Sequence, residues 1–468
     1  MATTLVHRAS AADLDRTKIP SPKPAPEIHL PDIQKAKLAN GLQVWLVEMH
    51  KLPTVAFNLV LQSGSERDPV TMPGLASMTA ALLNEGTQTR DAMKVSNDLE
   101  AIGASVNVGA SADGTSATLS VLSKNLDKGL EIYTDILTHP AFAQKDFERL
   151  RDQRVTGLIQ QRDRPPMIAS NAFNYVLYTA SHPYGNNASG TEESLGKMTV
   201  ADIQKFYSDN YRPNNGTLIV VGDVTMSQIK DKLDGMLSGW TSKDVASFTV
   251  PAPPQVDQTR VYLVDKPGAP QSEVRIGDPA VARNTPDFFP LLVMNRVLGG
   301  QFTSRLNLNI RERHGYTYGV STRFTYQKGV GPFVAGGGIV SAKTDSALIE
   351  FVKEIDSMQQ HGLTADELDF SKKGTVGGFA LSFETPAQIA GALQNIVLYG
   401  LPDDYYRTYL QNIDKVSLDD VNRVASKYLK MKNMVVLVVG DLASIRPGIE
   451  KLNLGPITVL DVDGKPIK

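Results

Sequence analysis

The chain repeats itself. Thr217-Leu218-Ile219-Val220-Val221-Gly222-Asp223 and Met434-Val435-Val436-Leu437-Val438-Val439-Gly440-Asp441 each read as a buried strand that stops at Gly-Asp, and the two Gly-Asp pairs stand 218 residues apart. A helix-like segment precedes each strand, from Lys197-Met198-Thr199 to Tyr211 in one case and from Lys415-Val416-Ser417 to Tyr428 in the other, again 218 residues apart. A looser third match sets Phe142–Phe147 against Leu363–Leu368 at an offset of 221. Three matches in one order at nearly one offset indicate a duplicated unit, since two unrelated α/β domains with generic strand endings would not keep a common spacing.

The break between the halves is expected near Val250-Pro251-Ala252-Pro253-Pro254, because proline there disfavours both helix and central strand. This divides the chain into an N-terminal extension (1–34), a first domain (35–248), a linker (249–258) and a second domain (259–468). Val55, Phe57, Leu59 and Leu61 recur at period two, as on a strand with one buried face. Pro73 to Asn84 reads as a helix ended by Gly86, and strand-like segments follow at Ser105–Val108 and Thr115–Leu122. Strands grouped with helices, without strict βαβ alternation, predict α+β halves, each a mixed, mainly antiparallel sheet packed with helices.

Composition excludes several functions. The 468 residues carry a formal charge of −2 and no Lys/Arg run, so a nucleic-acid partner has no electrostatic support. The absence of Cys removes disulfides, thiolate metal sites and Cys nucleophiles. No apolar stretch is long enough to span a bilayer. Met1 to Pro26 is polar and Pro-rich without an apolar core, which taken literally indicates the cytoplasm. If Ala2 is instead a mature N-terminus, the compartment is the periplasm, and that is the reading adopted.

Several motifs occur in a fixed order. Leu61-Gln62-Ser63-Gly64-Ser65-Glu66-Arg67 ends a strand, Pro73-Gly74-Leu75-Ala76 enters a helix, and Glu85-Gly86-Thr87 leaves it. His182-Pro183-Tyr184-Gly185, Tyr211-Arg212-Pro213-Asn214 and Val220-Val221-Gly222-Asp223 follow; in the second half Leu298-Gly299-Gly300 leads to Ser304-Arg305-Leu306. As an ordered set over roughly residues 35 to 455 the chain resembles the insulinase–pitrilysin family of zinc peptidases. The resemblance implies a clamshell, of which one chain of this length forms half. Active members carry His-x-x-Glu-His on the first of these helices, two imidazoles for zinc and a carboxylate for the attacking water. Matched by the flanks, those positions here are Ser77, Ala80 and Ala81, and the third ligand position falls at about Gly157. The seven His residues do not restore the site, since no two lie within a helix turn of each other.

The segment from Asn309 to Val320 reads as a helix capped at its C-terminus by Gly315 and followed by a strand through Tyr326. The resemblance implies an Arg-and-Tyr pair here, Arg311 and Tyr318, reaching substrate at the metal from the opposite half. A Tyr hydroxyl can donate to the oxyanion of a tetrahedral intermediate, and an Arg fork suits substrate carbonyls or carboxylates. Read from spacing alone, Arg311 would cap the helix and Tyr318 would pack in the sheet. The loop at Gly299-Gly300 is too short to carry presequence recognition over from the mitochondrial processing peptidase, which the family includes. Gly336-Gly337-Gly338 lies in a strand without a following helix, so it reads as a bend or close backbone approach rather than a phosphate loop.

These readings combine into a non-metal-binding subunit of a heterodimeric zinc metallopeptidase acting on unfolded peptides. Its partner would be a homologous chain with intact His-x-x-Glu-His, which binds the zinc; this chain alone would be inactive. Substrate would be held partly as an added strand on a sheet edge. Ala104-Ser105-Val106-Asn107 matches the family's edge strand but faces the degenerate site. The alternative is an inert structural subunit of the kind the family's respiratory-complex core proteins represent.

Overall fold

In the computed structural model, which describes residues 32–467, the apolar runs assemble into two six-stranded sheets. The first half contributes β1 (Gln34–Lys37), β2 (Gln43–Glu48), β3 (Thr54–Leu61), β4 (Ser105–Ala110), β5 (Thr115–Leu122) and β6 (Gly216–Gly222). The second contributes β7 (Arg260–Asp265), β8 (Gln271–Val281), β9 (Thr317–Phe324), β10 (Gly331–Val340), β11 (Val435–Gly440) and β12 (Ile457–Leu460). The spatial orders are β1-β2-β6-β3-β5-β4 and β12-β7-β11-β8-β10-β9. Five strands of each sheet therefore correspond in the same order. The sixth does not: β1 pairs antiparallel with β2, whereas β12 comes from the other end of the chain and pairs parallel with β7. Both sheets are mixed and mainly antiparallel, and the fold is α+β, as expected.

The repeated helices Val200–Asn210 and Leu418–Tyr428 both start at capping boxes, Thr199 with Asp202 and Ser417 with Asp420. Each leads to a strand, β6 or β11, whose Val/Ile/Leu run shows no alternation because both of its faces are covered. The expected extension 1–34 lies outside the described residues except for Asp32, Ile33 and Gln34, and Gln34 already opens β1. Residues 241–257, which run between the two sheets, carry no helix or strand. No helix among the described residues is long and apolar enough to cross a membrane.

The cover on each sheet comes from the opposite half. The helix Pro165–Tyr178 packs on β8 and β11, and the helix Pro386–Tyr399 packs on β3 and β6. Each begins with proline in its first turn, where the missing N–H has no intrahelical partner to lose. Ile168, Ala169 and Phe173 meet Leu437 and Val439; Ile389, Leu393 and Ile396 meet Val60, Ile219 and Val221. This corrects the reading of β3 as half-buried. Val55, Phe57, Leu59 and Leu61 enter the core of their own half, but Val60 enters the interface core, and Ala56 and Asn58 are buried as well. The Asn58 side-chain NH₂ donates to Gln394 Oε1 at 2.7 Å, while its Oδ1 is buried without a partner among the described residues.

Candidate functional site

The helix Leu75–Leu83 begins after Gly74, whose φ of +93° and approach to Gly190 leave no room for a side chain: a Cβ would lie 2.7 Å from the Gly190 Cα. Asp68 caps this helix, accepting the N–H groups of Gly74 at 2.8 Å and Ala76 at 2.7 Å. Ala80 is buried in the core, and Ser77 and Ala81 are half-buried. The helix Gln144–Gln161 packs alongside and carries Gly157. A Cβ at Gly157 would meet nothing within 4 Å, so packing does not demand glycine there and a longer side chain would fit.

The two helices that carry the positions matched to the family's metal motif thus lie side by side, and the four residues there offer one hydroxyl and no imidazole, carboxylate or thiolate. One turn before Gly157, Arg154 donates from Nη2 to the Ser77 carbonyl at 2.8 Å. Its Nη1 is buried without a partner among the described residues, and burial holds its pKa below the usual arginine range, offset by the nearby Asp68 carboxylate. A neutral donor set beside a buried cation does not fit a zinc ion. Arg154 went unnoticed in the sequence, although its spacing of three residues from Gly157 places both on one helix face.

Arg311 lies on Asn307–Arg313, a helix as expected and one with the wider π-helical turn. The His314 N–H reaches back five residues to the Asn309 carbonyl at 3.1 Å, and Gly315 ends the helix with φ +66°. We attribute the wider turn to two buried asparagines that serve different neighbours. Asn307 Oδ1 accepts the Val320 N–H of β9 at 3.0 Å, and Asn309 Nδ2 donates to Glu350 and Glu354 at 2.7 Å each. These partners are remote in sequence, so no local periodicity announces the extra residue. The Arg311 guanidinium pairs with Glu312 and sits 4.3 Å from the centroid of the exposed Phe302 ring.

Tyr318 is 87% exposed and does not pack in the sheet. Register explains its direction. Val320 pairs with Gly337 and Thr317 with Ile339, so Tyr318 and Gly319 together oppose Gly338 in a β-bulge. The bulge resets the alternation, and Tyr318, Ser321 and Arg323 all come out exposed while Thr317, Val320, Thr322 and Phe324 stay buried. The glycine run in β10 is therefore the bend expected of it. Arg311 and Tyr318 lie on adjoining elements, with no hydrogen bond between them.

The outer edge of β9 is largely occupied. Besides the Val320 N–H, the Thr322 N–H donates to the Gly299 carbonyl at 3.1 Å and its carbonyl accepts from Asn295 Nδ2 at 3.1 Å. On β4, the other terminal strand, Asn84 ties both backbone groups of Val108, at 2.9 and 3.0 Å. These contacts exclude an added strand along the middle of β9.

Residues 43–180 match the family model described as Insulinase (Peptidase family M16), and residues 197–375 match the one described as Peptidase M16 inactive domain. The non-peptidase homolog YmxG of Helicobacter pylori is 27% identical over 396 residues, covering 84% of this chain and 90% of that protein. The zinc protease PqqE of the same organism is 26% identical over 420 residues, covering 86% and 91%. Among solved structures, a peptidase M16 inactive domain from Pseudomonas fluorescens is similar with a TM-score of 0.82 at 26% identity, covering 87% of this chain and 98% of that one. A protease from Helicobacter pylori shares the fold with a TM-score of 0.81 at 22% identity, covering 88% and all of that chain. With both of its halves matched in order, the chain belongs to the insulinase (M16) peptidase family.

Proposed function

We propose that this chain is the metal-free subunit of a heterodimeric zinc peptidase of unfolded peptides, working in the periplasm. Residues 35–248 would form its degenerate metal domain and 259–468 the domain that faces substrate. The observation that carries the reading is the exposure of Tyr318: a purely structural tyrosine on this strand would pack, whereas this ring and hydroxyl are held outward by a bulge. Zinc, bound by the partner, supplies the activated water. Within this chain, Tyr318 donates to the oxygen on which charge develops, and Arg311 orients a substrate carbonyl or carboxylate. That one organism holds both a relative named a non-peptidase homolog and one named a zinc protease supports a division of labour between two chains.

The test is reconstitution with a homologue from the same host that has an intact His-x-x-Glu-His. The mixture should form a stable heterodimer containing one zinc and hydrolyse an unstructured peptide, while neither chain does so alone. A heterodimer no more active than the partner by itself would favour the structural-subunit reading.

A further inference from the structure

A crevice of about 270 Å³ lies between the two halves, where the helix Pro165–Tyr178 leaves the end of β9 uncovered. Its floor is the face of the second sheet that carries Tyr318. Arg275 on β8, Gly336 on β10 and Ser321 on β9 are in register, as are Gly277, Val334 and Arg323. Arg275 and Arg323 therefore point to one side, diagonally across β10, where Gly336 adds no side chain beside Arg275 and Val334 forms the floor beside Arg323. Asn171 and Asn174 on the helix, with Thr325 and Gln327, complete a polar wall.

The charges in this crevice are unbalanced. Arg275 donates to the Glu273 carboxylate at 2.6 Å. Arg323 stands at the solvent-exposed mouth of the crevice with no hydrogen-bond or ion-pair partner among the described residues, and partial desolvation of its guanidinium together with the neighbouring Arg275 holds its pKa below the usual arginine range. Two guanidinium groups facing one cavity repel each other until an anion comes between them, and a planar fork matches a carboxylate in bidentate fashion. The space admits a side chain or a chain end, not a folded partner.

We propose that this crevice is a carboxylate subsite, with Arg323 as its principal ligand and Arg275 beside it, which takes an acidic side chain or the C-terminal carboxylate of the peptide. This rests on the function proposed above, because the occupant is named as peptide from the face shared with Tyr318. Five residues of strand separate the two, one of them taken up by the bulge, so the span is roughly 13–17 Å for four to five residues at 3.2–3.4 Å each. The subsite therefore selects peptides with a carboxylate four or five residues from the bond placed at Tyr318.

Binding to the full chain alone tests this without any need for catalysis. Three dye-labelled, otherwise identical unstructured heptapeptides are titrated by fluorescence anisotropy: one with a central Glu and an amidated C-terminus, one with Gln and the amide, and one with Gln and a free C-terminal carboxylate. At least one carboxylate peptide should bind about tenfold or more tightly than the Gln amide, with the preference weakening in salt. The better of the two identifies the source of the carboxylate. Arg323→Gln should abolish the preference and Arg323→Lys restore part of it, both with the thermal midpoint of the parent. Equal affinity for all three peptides, no binding of any, or a preference that survives Arg323→Gln overturns the subsite. Loss of the peptidase reading would show separately, as an inactive reconstituted heterodimer, and would leave a measured carboxylate preference standing.

Discussion

Asp113 and Lys328 hold each other twice: the Asp113 carboxylate accepts the Lys328 backbone N–H at 2.8 Å, and the Lys328 ammonium donates to the Asp113 carbonyl at 2.6 Å. The Tyr184 hydroxyl donates to the same carboxylate and accepts the Gly329 N–H at 3.0 Å. Three groups from the first half thus fix one loop of the second. Asp113→Ala leaves the carbonyl that holds the Lys328 ammonium but removes the acceptor for both the Lys328 backbone N–H and the Tyr184 hydroxyl, so it should destabilise by about 1–3 kcal/mol, and Asp113→Asn by less. Urea unfolding at neutral pH reads this directly, and a loss within error for both variants would show that the lock is idle.

Glu66 gives this junction a pH dependence. Its side chain is buried, and desolvation raises its pKa to about 7, opposed by the Lys328 ammonium and the Gly64 N–H. The folded chain therefore keeps a proton on Glu66 that the unfolded chain, near 4.5, has lost. The contribution to stability is fully present below about pH 4.5, falls as pH rises towards 7, and is flat above. Glu66→Gln mimics the protonated form and should gain on wild type by up to about 3 kcal/mol across that window. Parallel stability–pH curves for the two proteins would refute the assignment.

The crossed helices should make the halves unfold together. Leu393, buried on the helix Pro386–Tyr399, belongs to one half in sequence and to the core over β3 and β6 in space. Leu393→Ala should cost about 2–5 kcal/mol and shift a single calorimetric transition. A second transition in the wild-type chain would mean that each half is stable by itself.

Tyr318→Phe keeps the ring and removes only the hydroxyl. In the reconstituted heterodimer kcat/KM should fall about 10²-fold or more. Zinc content, dimer formation and the melting temperature should not move, because the side chain is exposed and is not a ligand. Activity within twofold of wild type would remove the trans-acting role.

Chelation separates the two chains. With Ser77, Ala81 and Gly157 at the positions matched to the family's zinc ligands and Ala80 at that of its general base, EDTA should leave the melting temperature of this chain unchanged while abolishing hydrolysis by the heterodimer. A chelator-sensitive melting transition, or one zinc per isolated chain by elemental analysis, would contradict a metal-free donor set.

The two related halves, the α+β class and the lack of metal donors at Ser77, Ala80, Ala81 and Gly157 could be read from residues alone, for a common reason. Strand endings, capping boxes and metal donors are properties of short segments, and a Ser or Ala in place of His removes a donor whatever surrounds it. The tertiary structure decided everything that depends on contact between distant segments. It buried the second face of β3 under a helix that begins at Pro386, 325 residues after the strand ends at Leu61, widened the turn that carries Arg311, and set Arg154 on the Ser77 carbonyl. The bulge opposite Gly338 aligned Tyr318 with Arg323. None of these leaves a periodic trace, because a side chain's environment is fixed by whatever packs against it, and in this fold much of that comes from the other half of the chain.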